Sequence, residues 1–177
     1  ILALKAMINT VLYSQVRGGP DAQISTRHAF RLDETATEKP TAFEINFIQA
    51  GVRFNYGFSM TDLCIEEEWL YSYPRGTQRK LFLREGSVFS FGRNLKGRNA
   101  AISELTRGNS LFLSAAAQSG HPFLTKVFGF FHSIQIETSL SMKSFEAEQR
   151  IKNEHKWIIN DEVIDYLKEI NTGIVGY

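Results

Sequence analysis

Cysteine is almost missing from this sequence. Cys64 stands alone, so no internal disulfide can form, and a reducing, cytoplasmic setting is the expected compartment. Set in an apolar strand, with no neighbour in sequence to stabilise a thiolate, Cys64 reads as core filler and not as a nucleophile. An excess of charge of one sign is missing too. The formal net charge is +1, which excludes a uniformly polycationic nucleic-acid binder but leaves room for a local basic patch. No apolar run reaches the length of a membrane span, and no charged leader precedes an apolar stretch, so no membrane association is expected. His28, His121, His132 and His155 are scattered, and none forms an H-x₃-H or Cys/His set, so no metal site is expected. Phe91 to Arg98 brings glycines near cations without reading G-x-x-x-x-G-K-[ST], and is taken as a turn.

What is present is enough apolar matter for a real core. The 177 residues are 43% hydrophobic and 12% aromatic, which fits one α+β domain, or one domain with a helical appendage. Residues 42–91 read as one antiparallel β-meander of about five strands. Phe43 to Phe47 and Val52 to Tyr56 alternate apolar with polar across a turn at Ala50-Gly51, the pattern of a hairpin with one dry face. Ile65 to Tyr73 is expected to set Glu66 and Glu68 on one face against Ile65, Trp69, Tyr71 and Tyr73 on the other, closing at Pro74-Arg75-Gly76-Thr77. Leu81 and Leu83 mark a fourth strand, and Val88 to Phe91 a fifth.

Helical patterns flank the meander. Ile1, Leu4, Ile8, Val11 and Leu12 form one stripe at helical spacing, expected to pack on a sheet whose first strand is not in this chain. Because the chain opens at Ile1 already in helical phase, without Met or a capping residue, the expectation is a fragment of a larger protein. A long polar loop follows Arg17-Gly18-Gly19-Pro20; Arg27, His28 and Arg31 within it are expected to be solvated. After the meander, short helices are expected over Ala101 to Leu105, Leu111 to Gln118 and Phe123 to His132. Phe145 to Ile159 and the residues from Asp161 to Gly173 read as two further helices.

Charge is unevenly placed along the meander. Asp62, Glu66, Glu67 and Glu68 make an acidic patch. Arg75, Arg79, Lys80, Arg84, Arg93, Lys96 and Arg98 fall close together, with Phe82, Phe89 and Phe91 interleaved. Cations among exposed aromatics suit a single-stranded nucleic acid or, without the stacking, an acidic protein. The plainer reading turns the phenylalanines into the core and leaves the cations on a wet face opposite the glutamates.

Three stretches resemble a known family. Ile1-Leu2-Ala3-Leu4-Lys5-Ala6-Met7 resembles the helix that follows the Walker A loop in ABC-class ATPases of the AAA/OLD type, which include many phage-defence and abortive-infection ATPases. Phe43 to Phe91, with Glu67-Glu68-Trp69-Leu70-Tyr71 inside it, resembles their antiparallel β-subdomain. Asn109 to Gln118 and Tyr166 to Ile174 resemble segments on the way to the helical arm. The resemblance implies an ATPase-lobe fragment over residues 1–140 and the start of a helical arm over 141–177. It also implies ATP and Mg²⁺ as cofactors of the intact protein, a homodimer closed by ATP, and an effector partner. The phosphate loop is expected ahead of Ile1 and the Walker B and signature motifs beyond Tyr177, so this chain alone is expected to be inactive. Gln118 is the residue that the resemblance places near Mg²⁺ and the attacking water.

Overall fold

The computed structural model describes residues 2–27 and 39–134. The expectations for His28, Arg31, His155 and the helices beyond Ile134 lie outside the described residues. Helix α1 (Leu2–Tyr13) precedes β1 (Thr41–Gln49), β2 (Val52–Met60), β3 (Ile65–Tyr73), β4 (Arg79–Glu85) and β5 (Val88–Phe91); α2 (Asn99–Leu105), α3 (Phe112–Gln118) and α4 (Leu124–Ser133) follow. The five strands form one antiparallel sheet in chain order. The α+β architecture and the meander are therefore as the sequence predicts.

The β1–β2 hairpin closes through a two-residue turn with Ala50 at φ 49° and Gly51 at φ 75°. Two left-handed residues make the primed turn whose twist matches that of paired strands. From it the register runs unbroken, and Phe43, Ile45 and Phe47 face Phe58, Tyr56 and Phe54 across the ladder. These side chains point to the face covered by helices. Phe47 stacks on Phe130 of α4 at 4.0 Å, Tyr56 meets Phe131 edge-on at 5.3 Å, and Phe82 of β4 meets Phe112 of α3 edge-on at 4.9 Å. Helix α1 packs on α4 and α3 through Met7, Ile8 and Val11. Of its expected stripe, Ile8 and Val11 are buried and Leu4 is exposed, and the partners among the described residues are these helices and not the expected sheet.

Two bulges overturn the strict alternation read from the sequence. Met60 pairs with Ile65 and Ser59 with Glu67, so Glu66 is an extra residue on β3. A one-residue insertion moves every later side chain to the opposite face. Ile65 thus faces the core, and so do Glu68, Leu70 and Ser72, while Trp69, Tyr71 and Tyr73 turn outward. A second bulge leaves Leu81 unpaired between Lys80 and Phe82, so Phe82 and Arg84 point inward and Leu83 outward. Cys64 is not in a strand core: it sits half-buried in the β2–β3 turn, where its Sγ lies 3.2 Å from both Thr61 Oγ1 and Glu66 Oε1.

On the outer face, Gly57 of β2 lies beneath the Trp69 indole. A methyl group at Gly57 would come within 2.3 Å of Trp69 Cζ2 and 2.7 Å of the Phe43 carbonyl oxygen. Gly57→Ala should therefore lower the unfolding free energy by about 1–3 kcal/mol, the usual cost of overpacking. Urea titration checks this, with a reduced midpoint at unchanged slope.

Candidate functional site

The first bulge delivers a carboxylate into the core. Glu68 is 0% exposed and Arg84, its cross-strand neighbour, 1%. Glu68 accepts hydrogen bonds from the Tyr56 hydroxyl (3.0 Å), the Leu113 N–H (3.0 Å) and the Phe112 N–H (2.6 Å). Helix α3 has no side-chain cap of its own, because Leu111 stands at its N-cap; the sheet supplies the anion that its first turn requires. Burial raises the Glu68 carboxyl above the usual carboxylate range, opposed by Arg84 and the two N–H groups. Burial and the neighbouring Glu68 also push the Tyr56 phenol well up, so it stays a neutral donor.

Arg84 stands 4.0 Å from Glu68, but its donors go chiefly to backbone. Its guanidinium reaches the carbonyls of Gly86 (2.7 Å), Ser110 (2.6 Å), Gly108 (3.2 Å) and Arg107 (3.3 Å). The segment it grips, Arg107-Gly108-Asn109-Ser110, turns its own side chains the other way. Arg107 donates to the carbonyls of Ser14, Gln15, Arg17 and Gly18, closing the carboxyl end of α1, which has no basic residue in its last turn. Asn109 donates to the carbonyls of Gly19 and Ala22, and Ser110 to the Gln15 side chain. Four consecutive residues thus clasp the sheet to α1 and set the position of α3.

At the far end of α3 stands Gln118, exposed. The helix stops there through Gly120 at φ 69°, with the Gly120 and His121 N–H groups returning to Ala117 and Ala116. His121 is buried and caps α4: its Nδ1 accepts from the Phe123 and Leu124 N–H groups, so its proton is on Nε2, 2.9 Å from Asn99 Oδ1. Burial lowers the His121 pKa below the ordinary imidazole value. Gln118 therefore ends a helix fixed at one end by Glu68 and followed at the other by a histidine cap.

The basic strip is divided by the fold. Arg75, Arg79, Lys80, Arg93, Lys96 and Arg98 are exposed, but Arg84 is buried in the clasp and cannot meet a ligand from solvent. Phe82 is fully buried, and Phe89 and Phe91 lean on Phe112, so these rings belong to the core and not to a stacking surface. Glu68 leaves the acidic patch for the same reason. Arg27 is not solvated as expected: its guanidinium is buried, 2.6 Å from Asp62 and 2.9 Å from the Lys39 carbonyl oxygen. Among the described residues no group of three His, Cys, Asp or Glu side chains is placed to hold a metal, and no helix is long and apolar enough to cross a membrane. Reading along the sequence missed the Glu68–Arg84 pair. The available signal was Leu70, an aliphatic residue out of phase with Trp69 and Tyr71.

Residues 26–93, which hold the sheet with Glu68 and Arg84, match the family model described as "AAA domain, putative AbiEii toxin, Type IV TA system". The match supports an AAA-type ATPase relationship for this part of the chain. No curated protein and no solved structure matches it.

Two outcomes follow from this geometry. Glu68→Ala should lower the unfolding free energy by about 3–5 kcal/mol, since it strands a buried guanidinium, whereas Glu68→Met with Arg84→Met should cost clearly less than the two single changes summed. Denaturant titration of wild type, Glu68→Ala, the two single methionine variants and the double variant decides it. For His121, a folded pKa below the unfolded value of about 6.5 means that the unfolded chain binds the extra proton first. Its contribution to stability is complete above about pH 6.5 and is lost as pH falls through the lowered folded value. His121→Asn, which keeps an acceptor for the α4 N–H groups but cannot titrate, should flatten the acid limb of the stability profile relative to wild type.

Proposed function

We propose that this chain forms the sheet-bearing part of the ATP-binding lobe of an ABC-class ATPase of the AAA/OLD type. In this reading the intact protein is a homodimer that closes on ATP and couples closure to an effector, in a toxin or abortive-infection setting directed against phage. The observation that carries it is the family match over residues 26–93, the segment that builds the sheet.

The clasp supports the reading in physical terms. A nucleotide can shift a conformational equilibrium only through contacts that differ between the two states, and those contacts must sit on something stiff. Helix α3 is stiffly held: Glu68 caps its first turn, Arg84 and Arg107 fix the segment ahead of it, and Gln118 projects from its end. A displacement at Gln118 is therefore passed to the sheet and to α1 together. The described residues do not themselves fit Mg-ATP, since they offer neither a glycine-rich phosphate loop nor a metal-ligating cluster. In this reading a phosphate loop ahead of Ile1 holds the nucleotide, and this chain lends the side-chain amide of Gln118 to orient a water.

The test compares this chain with one extended ahead of Ile1 by its coding sequence. The extended protein should carry the G-x-x-x-x-G-K-[ST] loop and bind Mg-ATP where the 177-residue chain does not. Within it, Gln118→Ala should slow hydrolysis on the order of a hundredfold at saturating Mg-ATP while leaving ATP affinity nearly unchanged. Equal Mg-ATP affinity in the two chains overturns the assignment.

A further inference from the structure

The outer face of the sheet, which none of the described helices covers, carries an organised set of side chains that the ATPase reading does not use. The Glu66 bulge turns Trp69, Tyr71 and Tyr73 outward in a row along β3, successive members about 6.8 Å apart by strand geometry. Trp69 is held in one orientation. Its ring lies over Gly57, where any larger residue would collide with it, and its Nε1 donates to Asn55 Oδ1 at 3.0 Å. Asn55 is fixed in turn by donating to Glu44 Oε1 (2.7 Å) and Asn46 Oδ1 (3.3 Å). The indole is thus pinned from beneath and only half-buried.

Cations flank the row at one end. Lys80 pairs with Tyr71 across the β3–β4 ladder and reaches Ser90 Oγ at 2.7 Å. Arg53 pairs with Tyr73, and its guanidinium lies 3.9 Å from the centre of that ring. Arg75 stands in the turn at the same end, and Arg53, Lys80 and Arg75 are all exposed; Arg79 pairs with Ser72 and so belongs to the opposite face. The acids of this face, Glu67 and Glu85, pair with each other across the ladder at the opposite end, and Glu44 is engaged by Asn55. Rings in the middle and cations at one end are what stacked bases and their phosphates require.

We propose that this face binds a short segment of single-stranded nucleic acid, with bases on Trp69 and Tyr71 and phosphates at Arg53 and Lys80. Paired bases could not reach the rings, so duplex is excluded as the preferred ligand. The acids at the far end limit the segment to a few nucleotides. The inference is independent of ATP binding. It also differs from the strip first suggested by the sequence: Arg79, Arg84 and the three phenylalanines leave it, Arg93, Lys96 and Arg98 have no part in it, and Trp69, Tyr71 and Arg53 enter.

Fluorescence anisotropy of a labelled oligothymidylate with the 177-residue protein tests it. Affinity should fall as salt rises, and Arg53→Ala and Lys80→Ala should each reduce the logarithmic salt slope by about 0.7. Trp69→Ala should weaken binding about five- to a hundredfold, and Trp69→Phe should retain most of it. Because Trp69 also covers Gly57, Arg53→Glu and Lys80→Glu serve as variants at exposed positions that leave the fold intact; each should abolish binding with an unchanged melting temperature. Absence of oligonucleotide binding at low salt overturns the proposal, as does binding that survives Trp69→Ala and Lys80→Glu. So does self-association through Trp69 without oligonucleotide affinity, which assigns the face to a second copy of the chain.

Discussion

A carboxylate removed from water loses several kcal/mol of hydration that the protein must replace, and Glu68 is removed from it completely. What replaces hydration is the charge of Arg84, at 4.0 Å, together with three donors aimed at its two oxygens. Two of those donors are the first N–H groups of α3, which have no other partner. Helix and carboxylate each remove the other's unsatisfied group. Arg84 completes the arrangement by spending its donors on four backbone carbonyls, which holds the Arg107 to Ser110 segment against the sheet. The orientation of α3 therefore follows from the polar chemistry of one pair of strand residues.

The rest of the fold is arranged around that anchor. Aromatic contacts fill the space between sheet and helices, with Phe47, Tyr56 and Phe131 on one side and Phe82 and Phe112 on the other. Such contacts are strong but tolerant of sliding, whereas the charged and hydrogen-bonded clasp specifies one register. Through Arg107 and Asn109 the same segment reaches the end of α1, so three elements distant in sequence share one rigid junction. The AAA-type match falls on the strands that supply the Glu68–Arg84 half of this junction.

The two faces of the sheet are separated by the same device. Without the bulge at Glu66, the period-two pattern from Ile65 would bury Trp69, Tyr71 and Tyr73 and leave Glu68 in water. One extra residue exchanges the two sets. It places the carboxylate where α3 needs an anion and the rings where they meet solvent beside Arg53 and Lys80. The polar clasp inside and the aromatic row outside are thus consequences of a single irregularity.

Local chemistry was legible along the chain. Period-two alternation, the turn residues at Ala50-Gly51 and Pro74 to Thr77, and helical spacing after Ala100 determined the elements, their order and the α+β class, because each depends on residues within a few positions. The paired cations and acids were visible as well, but not their fates. Which of them face the core depends on β-bulges, and a bulge is set by how two strands match their partners rather than by either strand's own pattern. Glu68 and Arg84, adjacent only across a ladder and satisfied largely by α3 and the segment ahead of it, more than twenty residues beyond them, could be recognised as the anchor only once the chain had folded.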